Sequence, residues 1–531
     1  MRGLLCAAVA FLAGTLVACG GGGSGPPAPP PSGGFTNASL KGQYAFSMSG
    51  VDLNGAYIAR AGSFSADGNG NITSGLEDLL SLGSGQAAGL VSFTGGNYQI
   101  QANGRGVVIL QAATGGALQL NMAMQTNSAG FLVQTADKSS DLTGTSSGTF
   151  NLQTAADFTV AALANPYVFD FSGTSFAGTS VAPISMIGRI VTDGNGNITG
   201  GVMDANDGNA TAPSGATVVS PGTYQLDSVN GPSFGRGMMT FNGRTYALYI
   251  VDATHIKALE EDTLGGSLGD ALQQAGTVPT QNSAFTGSFV YLIGGATAQG
   301  QGTLGPLARV ARFTADGNGG LAAISLDDNS TGNYTHISQG SNISAATYAI
   351  DTANAGSGRG TFTFTDSNAG KFSDVFYMIS PSQAVVQDTT SGIVGDGPFY
   401  AQTGGPFTVS GSAGNYVFNW SGVELGSSTA VPFEEDFTGQ YALSSATSNN
   451  ISGVTDYVEL GLSGNNLFTN VGLSGTLTVS GDGTANNLYK YVLSGSPSST
   501  INFQAYFANP GTVLLVCSDS SRTTAGIVQP Q

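Results

Sequence analysis

Ser65–Gly75 reads SADGNGNITSG, and close variants return as VTDGNGNITGG from Val191 and TADGNGGLAAI from Thr314. Asp-Gly and Asn-Gly tolerate the positive φ of tight β-turns, so the stretch predicts a hairpin tip between two antiparallel strands. A calcium loop is the competing reading, because such loops also begin with alternating oxygen-bearing side chains. Asp67, Asn69 and Asn71 fit that spacing, with Asp78 further on; Asp193, Asn195, Asn197 and Asp204 repeat it, and Asp316, Asn318 and Asp327 keep part of it. Where a calcium loop turns on glycine, however, the chain has Ile72, Ile198 and Leu321, and no helical periodicity flanks the site. The expectation is therefore a turn and no cofactor, with calcium as the alternative.

Outward from the turns, the whole chain repeats. Aromatic openings GQYAFSMSG, NPYVFDFSG, GSFVYLIGG and GNYVFNWSG end at Gly50, Gly173, Gly294 and Gly422, a period of about 120 residues. After each turn come YQIQANGRG, YQLDSVNGPSFGRG or YAIDTANAGSGRG, then an apolar run, and finally a closing glutamine at Gln153, Gln274, Gln402 and near Gln529. Period-two alternation dominates, as in Thr361-Phe362-Thr363-Phe364-Thr365, which marks half-buried strands. In the third copy, strands are expected near 287–294, 307–315, 320–327, 344–351, 359–365, 374–380, 383–389 and 397–402. The stretch ALEEDTLGGSLGDAL from Ala258 is the one place where a helical turn is expected.

These patterns predict an all-β chain: a tandem array of about four antiparallel modules, each an up-and-down β-barrel, with a two-sheet β-sandwich as the alternative. The expected divisions are 1–18, 19–38, 39–154, 155–283, 284–410 and 411–531, with the last module divergent. The aromatic openings resemble the first strand of lipocalin-like barrels over too few residues to assign a family.

The ends of the chain add a location. Met1-Arg2-Gly3 is a short basic start, Leu4–Ala18 is apolar, and the segment closes on Leu16-Val17-Ala18-Cys19. That tetrad resembles a bacterial lipobox, and the resemblance implies cleavage before Cys19 and lipidation of its thiol. Gly20 follows in place of Asp, so the resemblance also implies an outer-membrane destination, on the periplasmic or surface side. Residues 20–34, GGGGSGPPAPPPSGG, read as a tether. Gln531 ends the sequence where a transmembrane barrel would carry an aromatic residue, and such a barrel is not expected.

Composition narrows the function classes. Of 531 residues, 81 are glycine, and charged residues make up 9% against a usual share of about 25%. A net charge of −18 excludes the basic patches that nucleic acid demands. Three cysteines, Cys6, Cys19 and Cys517, leave no disulfide after processing, and Cys517 sits in an apolar run as an inert thiol. His255 and His336 are the only histidines and lie in different modules, which argues against a zinc or iron site. Neither a nucleophile elbow nor a phosphate loop is present. The acid runs Glu260-Glu261-Asp262 and Glu434-Glu435-Asp436 read as solvated faces, Trp420 as core, and no enzyme is expected.

Arginines recur in two module positions. Arg105, Arg236 and Arg359 sit in Gly-Arg-Gly; Arg60, Arg189, Arg309 and Arg312 precede the turns; Arg244 and Arg522 look isolated. With Asp78, Asp204 and Asp327 recurring alongside, the expectation is one structural ion pair within each module, with an anion site as the sharper alternative. The functional expectation is a membrane-anchored surface lipoprotein, monomeric, with a structural or adhesive role as a semi-rigid stalk. Its partner would be an undefined cell-surface polymer or protein. The alternative is a small-molecule-binding lipoprotein with lipocalin-like cavities.

Overall fold

The computed structural model describes residues 34–82, 86–136, 144–177, 180–210, 212–298, 304–340, 342–425, 433–444, 449–461, 464–491 and 499–531. The signal segment, Cys19 and nearly all of the tether lie outside them. Strands dominate what is described, in four consecutive antiparallel sheets.

In the first module, Lys41–Asp52, Tyr57–Asp67, Asn71–Ser81, Gln86–Ile100, Arg105–Ala112, Ala117–Met124, Ala129–Ala136 and Gly144–Leu152 follow one another around a closed barrel. The last strand pairs back onto the first, from Tyr44 opposite Leu152 to Asp52 opposite Gly144. Closure leaves no sheet edge along that seam, which suits a meander without crossovers. Residues 414–530 close in the same way. The second module closes through Ser180–Thr192, which pairs with both Pro166–Ala177 and Asn197–Asp207. The third is nearly closed, its two ends meeting at a single bridge between Gly320 and Thr347.

Alternation places the aromatic openings inside. Tyr44, Phe46 and Met48 fill the first barrel, and Tyr167, Phe169 and Phe171 the second. Phe289, Tyr291 and Ile293 fill the third, and Tyr416, Phe418 and Trp420 the fourth. Rings pack closely there: Phe285 stacks on Phe289 with centroids 4.3 Å apart, and Phe418 on Trp420 at 4.0 Å. The barrel interiors are thus packed with side chains at the aromatic end.

The stretch from Ala258 holds no helical turn. It forms His255–Glu260 and Gly265–Gln273, because Ala258 and Ala271 alternate into the core while its glycines pack against neighbouring backbone. In the third module a ninth strand, Asn333–Ser338, joins the eight expected.

The modules do not form a stalk. The fourth meets the first as well as the third, so the array closes into a ring. Apolar seams run between first and second (Ala59, Leu76, Tyr249, Leu259), second and third (Val168, Ile187, Tyr377, Val385), third and fourth (Val290, Val310, Leu514, Val516), and fourth and first (Val51, Val133, Val423, Val458). The outward-facing residues of the barrels are too apolar for a linear row, and closure buries them.

Candidate functional site

Each joint of the ring falls at equivalent module positions. The third strand of one module carries an aspartate on its outer face, and the next module supplies the donors. Asp78 receives Arg236 Nε at 2.8 Å, Arg236 Nη2 at 2.9 Å and the Tyr249 hydroxyl at 2.6 Å. Asp204 receives Arg359 Nε at 2.7 Å, Nη2 at 2.8 Å and the Tyr377 hydroxyl at 2.6 Å. Such forked pairs fix orientation as well as distance. Arg236 and Arg359 keep the expected pair within a module, to Asp227 and Asp351 of their own copies, but Asp78 and Asp204, expected as such partners, belong to the preceding copy and take the bidentate fork across the joint. Asp78 and Asp204 pair across modules because the outer face of the third strand is where the next barrel packs.

The other two joints vary the scheme. Asp327 of the third module accepts from Tyr506 at 2.6 Å, from the His336 ring at 2.8 Å and from Tyr334. Thr484 stands there in the arginine's place, after Gly483. Asp456 of the fourth module pairs with Arg105 of the first, whose Nη1 also reaches Asn470 at 2.9 Å. Here Ala123 occupies the position of the tyrosine, opposite Arg105 across the strand pair. Burial opposes the charge of Arg236 and Arg359, yet the hydrogen bonds and charge of Asp78 and Asp204 outweigh it and raise both pKa values. The Tyr249, Tyr377 and Tyr506 hydroxyls are pushed well up by burial and then by the adjoining aspartate, so they stay donors.

The closing glutamines are the second element of each joint. Gln153 donates to Ile250 O at 2.6 Å and Phe234 O at 3.0 Å; Gln274 to Ser357 O and Met378 O, both at 2.8 Å. Gln402 donates to Phe507 O at 2.8 Å and Asp482 O at 3.2 Å. Gln531, two residues past the expected Gln529, donates to Asn103 O at 2.7 Å and Met124 O at 2.9 Å, which closes the ring. The glycine before each joint arginine makes room: a Cβ on Gly104, at φ +83°, would sit 2.5 Å from the Gln531 amide nitrogen. The sequence shows these glutamines as landmarks; their recurrence was the signal for a binding role that the strand pattern alone did not assign.

A third layer is buried among the modules. Lys257 of the second module donates to Ser47 at 3.1 Å and Thr149 at 2.8 Å of the first, and to its own Asp270 at 3.1 Å, which also meets His255 at 2.7 Å. Asp170 and Asp396 hydrogen-bond to each other across the second and third modules, and burial followed by the charge of Asp396 pushes the Asp170 carboxyl well up. Thr145 of the first module donates to Asp436 of the fourth at 2.7 Å.

Four of the remaining arginines line barrel interiors. Arg60 meets Glu77 at 2.6 Å, Arg244 pairs with Glu260, Arg309 meets Asp328 at 2.8 Å and also Asp388, and Arg522 meets Glu435 at 2.7 Å. Arg244 and Arg522 are therefore paired rather than isolated, and Glu260, Glu434, Glu435 and Asp436 are buried rather than on solvated faces. Each acid sits within a strand, not in a loop, so alternation carries it into a barrel or a joint. Arg189 reaches Gln274 at 2.7 Å, and Arg312 lies 3.4 Å from Asp482 of the fourth module. Cys517 is buried in the fourth core.

The DGNG stretches close as Asx turns. The Asp67 carboxylate accepts Asn69 N at 2.6 Å, Asn71 N at 3.1 Å and Asn71 Nδ2 at 2.8 Å, and Asp193 does the same with Asn195 and Asn197. Asp316 accepts Asn318 N and Gly320 N. These donors hold Asp67 and Asp193 down to about 2. Asp78, Asp204 and Asp327 are not gathered with the turns; they belong to the joints. Among the described residues, no group of three or more acidic, histidine or cysteine side chains is placed to hold a metal ion, and no helix is long and apolar enough to cross a membrane.

No known family model matches the chain, and no curated protein is detectably similar to it. Among solved structures, it is similar to a transferrin binding protein B double mutant from Haemophilus parasuis Hp5, at 9% identity over 76% of this chain and 82% of that one, with a TM-score of 0.18. It is also similar to intact Ap-TbpB with its N and C lobes, at 9% identity over 78% and 86%, with a TM-score of 0.17. At these TM-scores the likeness carries no argument about fold or role.

Proposed function

We propose that the chain is a lipid-anchored protein of the bacterial cell envelope whose four-barrel ring serves a structural or adhesive role toward a surface polymer or protein. The observation that carries this reading is the joint set. Every module is clasped to two neighbours by an aspartate, a closing glutamine and an apolar seam, which makes a stiff body for display. The barrel interiors support it further, because their aromatic ends are packed and their opposite ends are filled by paired arginines, which favours a structural use over lipocalin-like cavities. The ring acts as a monomer, tethered by the segment before Phe35 through lipidated Cys19.

The test is made on intact cells. Cys19→Ser is expected to abolish labelling by a fatty-acid probe and release the protein from the membrane fraction. Protease added to whole cells expressing the native chain should remove it, with loss of attachment to a protein- or polymer-coated surface. Attachment that is equal with and without the chain would sink the adhesive role.

A further inference from the structure

The fourth strand of each barrel turns a corner. Gln86–Ile100 runs along Asn71–Ser81 from Gln86 to Asn97, but only from Phe93 onward does it also pair with Arg105–Ala112. Gly464–Val479 likewise runs along Asn450–Gly461 from Gly464 to Thr476 and pairs with Thr484–Tyr491 only from Leu473 onward. In the second and third modules the strand is split at the corner. Ser214–Val218 pairs only with Asn197–Asp207, and Asn333–Ser338 only with Leu321–Ser330. The outer half thus leaves one edge without a partner strand among the described residues, at 89–91, 214–218, 333–338 and 466–469.

These edges lack the usual protection. Exposed strand edges generally carry lysine, proline or a covering element that blocks pairing. Here they read GLV, SGATV, NYTHIS and NLFT, without Lys, Arg, Asp, Glu or Pro in any copy. All five residues of Ser214–Val218 are exposed, and the largest solvent-facing apolar side chains include Leu90, Val218 and Leu467 on these same edges. Val218 is 74% exposed.

We propose that the edges are docking sites for an extended polypeptide of another protein, which adds to each as a further antiparallel or parallel strand. A row of alternating N–H and C=O groups is satisfied only by a matching row, and an extended backbone supplies it. Two copies of this chain each carry −18 and repel, so the occupant is a foreign segment, uncharged or basic, with β-branched or hydroxyl side chains at alternate positions. The proposal deepens the adhesive reading by naming the partner's chemistry, and rests on it only for where the partner is met.

The test uses the full-length protein in detergent micelles and a synthetic peptide, Lys-Thr-Val-Thr-Val-Thr-Val-Lys. Amide hydrogen exchange at 214–218 and 333–338 is expected to slow at least about tenfold with the peptide, while the barrel cores stay unchanged. The same peptide N-methylated at alternate residues cannot pair and should protect nothing. Val218→Lys, at a position too exposed to threaten folding, should weaken protection at that edge alone by about fivefold or more through like charge. Absence of protection at millimolar peptide, or equal protection by the methylated peptide, overturns the proposal. So does edge protection without peptide accompanied by a doubled mass in sedimentation, which would make the occupant a second copy. Failed attachment of cells with intact peptide protection would count against the adhesive role alone.

Discussion

At the scale of the residue, one aspartate decides how two barrels meet. Asp78 is fully buried, and its oxygens are satisfied only by groups from the next module. Removing one partner of such a pair strands a charge, whereas removing both leaves a contact that can repack. Arg236→Met is therefore expected to destabilise the protein by about 3–5 kcal/mol, toward the lower figure because the Tyr249 hydroxyl remains. Combining it with Asp78→Asn should restore a substantial part, and urea unfolding of the two single variants and the double variant measures the difference. The recurrence of these residues was legible in the sequence; their assignment to different copies was not. Gly-Arg-Gly falls at a fixed place in the first three modules and Asp at a fixed place in all four, so spacing cannot tell a partner within the copy from one in the next. Copy four offered the clue, since it keeps Asp456 and loses the arginine: Asp456 is held by Arg105 of the first copy, while Asp327 has no arginine to receive.

At the scale of the element, alternation and turn chemistry were enough to place most strands. Phe362 and Phe364 point inward and the threonines between them are half-buried, as period two requires. What alternation could not show is the corner in the fourth strand, because a strand that gains its second partner only part-way along keeps its own periodicity. The corner is set by Gly95 and Gly96, at φ +152° and +148°, where the backbone of Gln86–Ile100 presses against Arg105–Ala112. A Cβ on Gly96 would meet Ile109 O at 1.9 Å. Gly96→Ala is therefore expected to cost about 1–3 kcal/mol by overpacking. Gly115→Ala, where a Cβ meets nothing, carries only the cost of its φ of +87° with no backbone clash and should be the less destabilised of the two. Thermal unfolding of both variants ranks them.

At the scale of the whole molecule, closure turns four similar barrels into one body. The repeat period and the lack of catalytic motifs were legible in the sequence, but a closed ring and an open stalk share both, and only the outward faces distinguish them. Those faces carry carboxyls that closure removes from water. Burial raises Asp396 at the joint of second and third modules to about 7, and Glu260 and Glu459 inside their barrels also to about 7. Their unfolded values lie near 4. A carboxyl whose folded pKa is raised stabilises the fold below its unfolded pKa, and the contribution is lost as pH rises through the folded one. His336, raised by its hydrogen bond to Asp327, acts in the same direction. The turn aspartates oppose this only in acid, because Asp67 and Asp193, lowered to about 2, lose their contribution as pH falls from about 4. Stability should thus be greatest near pH 4 to 5 and fall toward pH 8, with the ring unfolding as one unit because each module is held by two joints. Calorimetric scans from pH 5 to 8 check both statements. A single transition whose midpoint drops with pH is expected, and Asp396→Asn, which keeps an acceptor for Asp170 while removing an ionisable group, should flatten the drop. Separate transitions for separate barrels would mean that the joints do not couple the modules, and a midpoint rising with pH would mean that the buried carboxyls are ionised without cost.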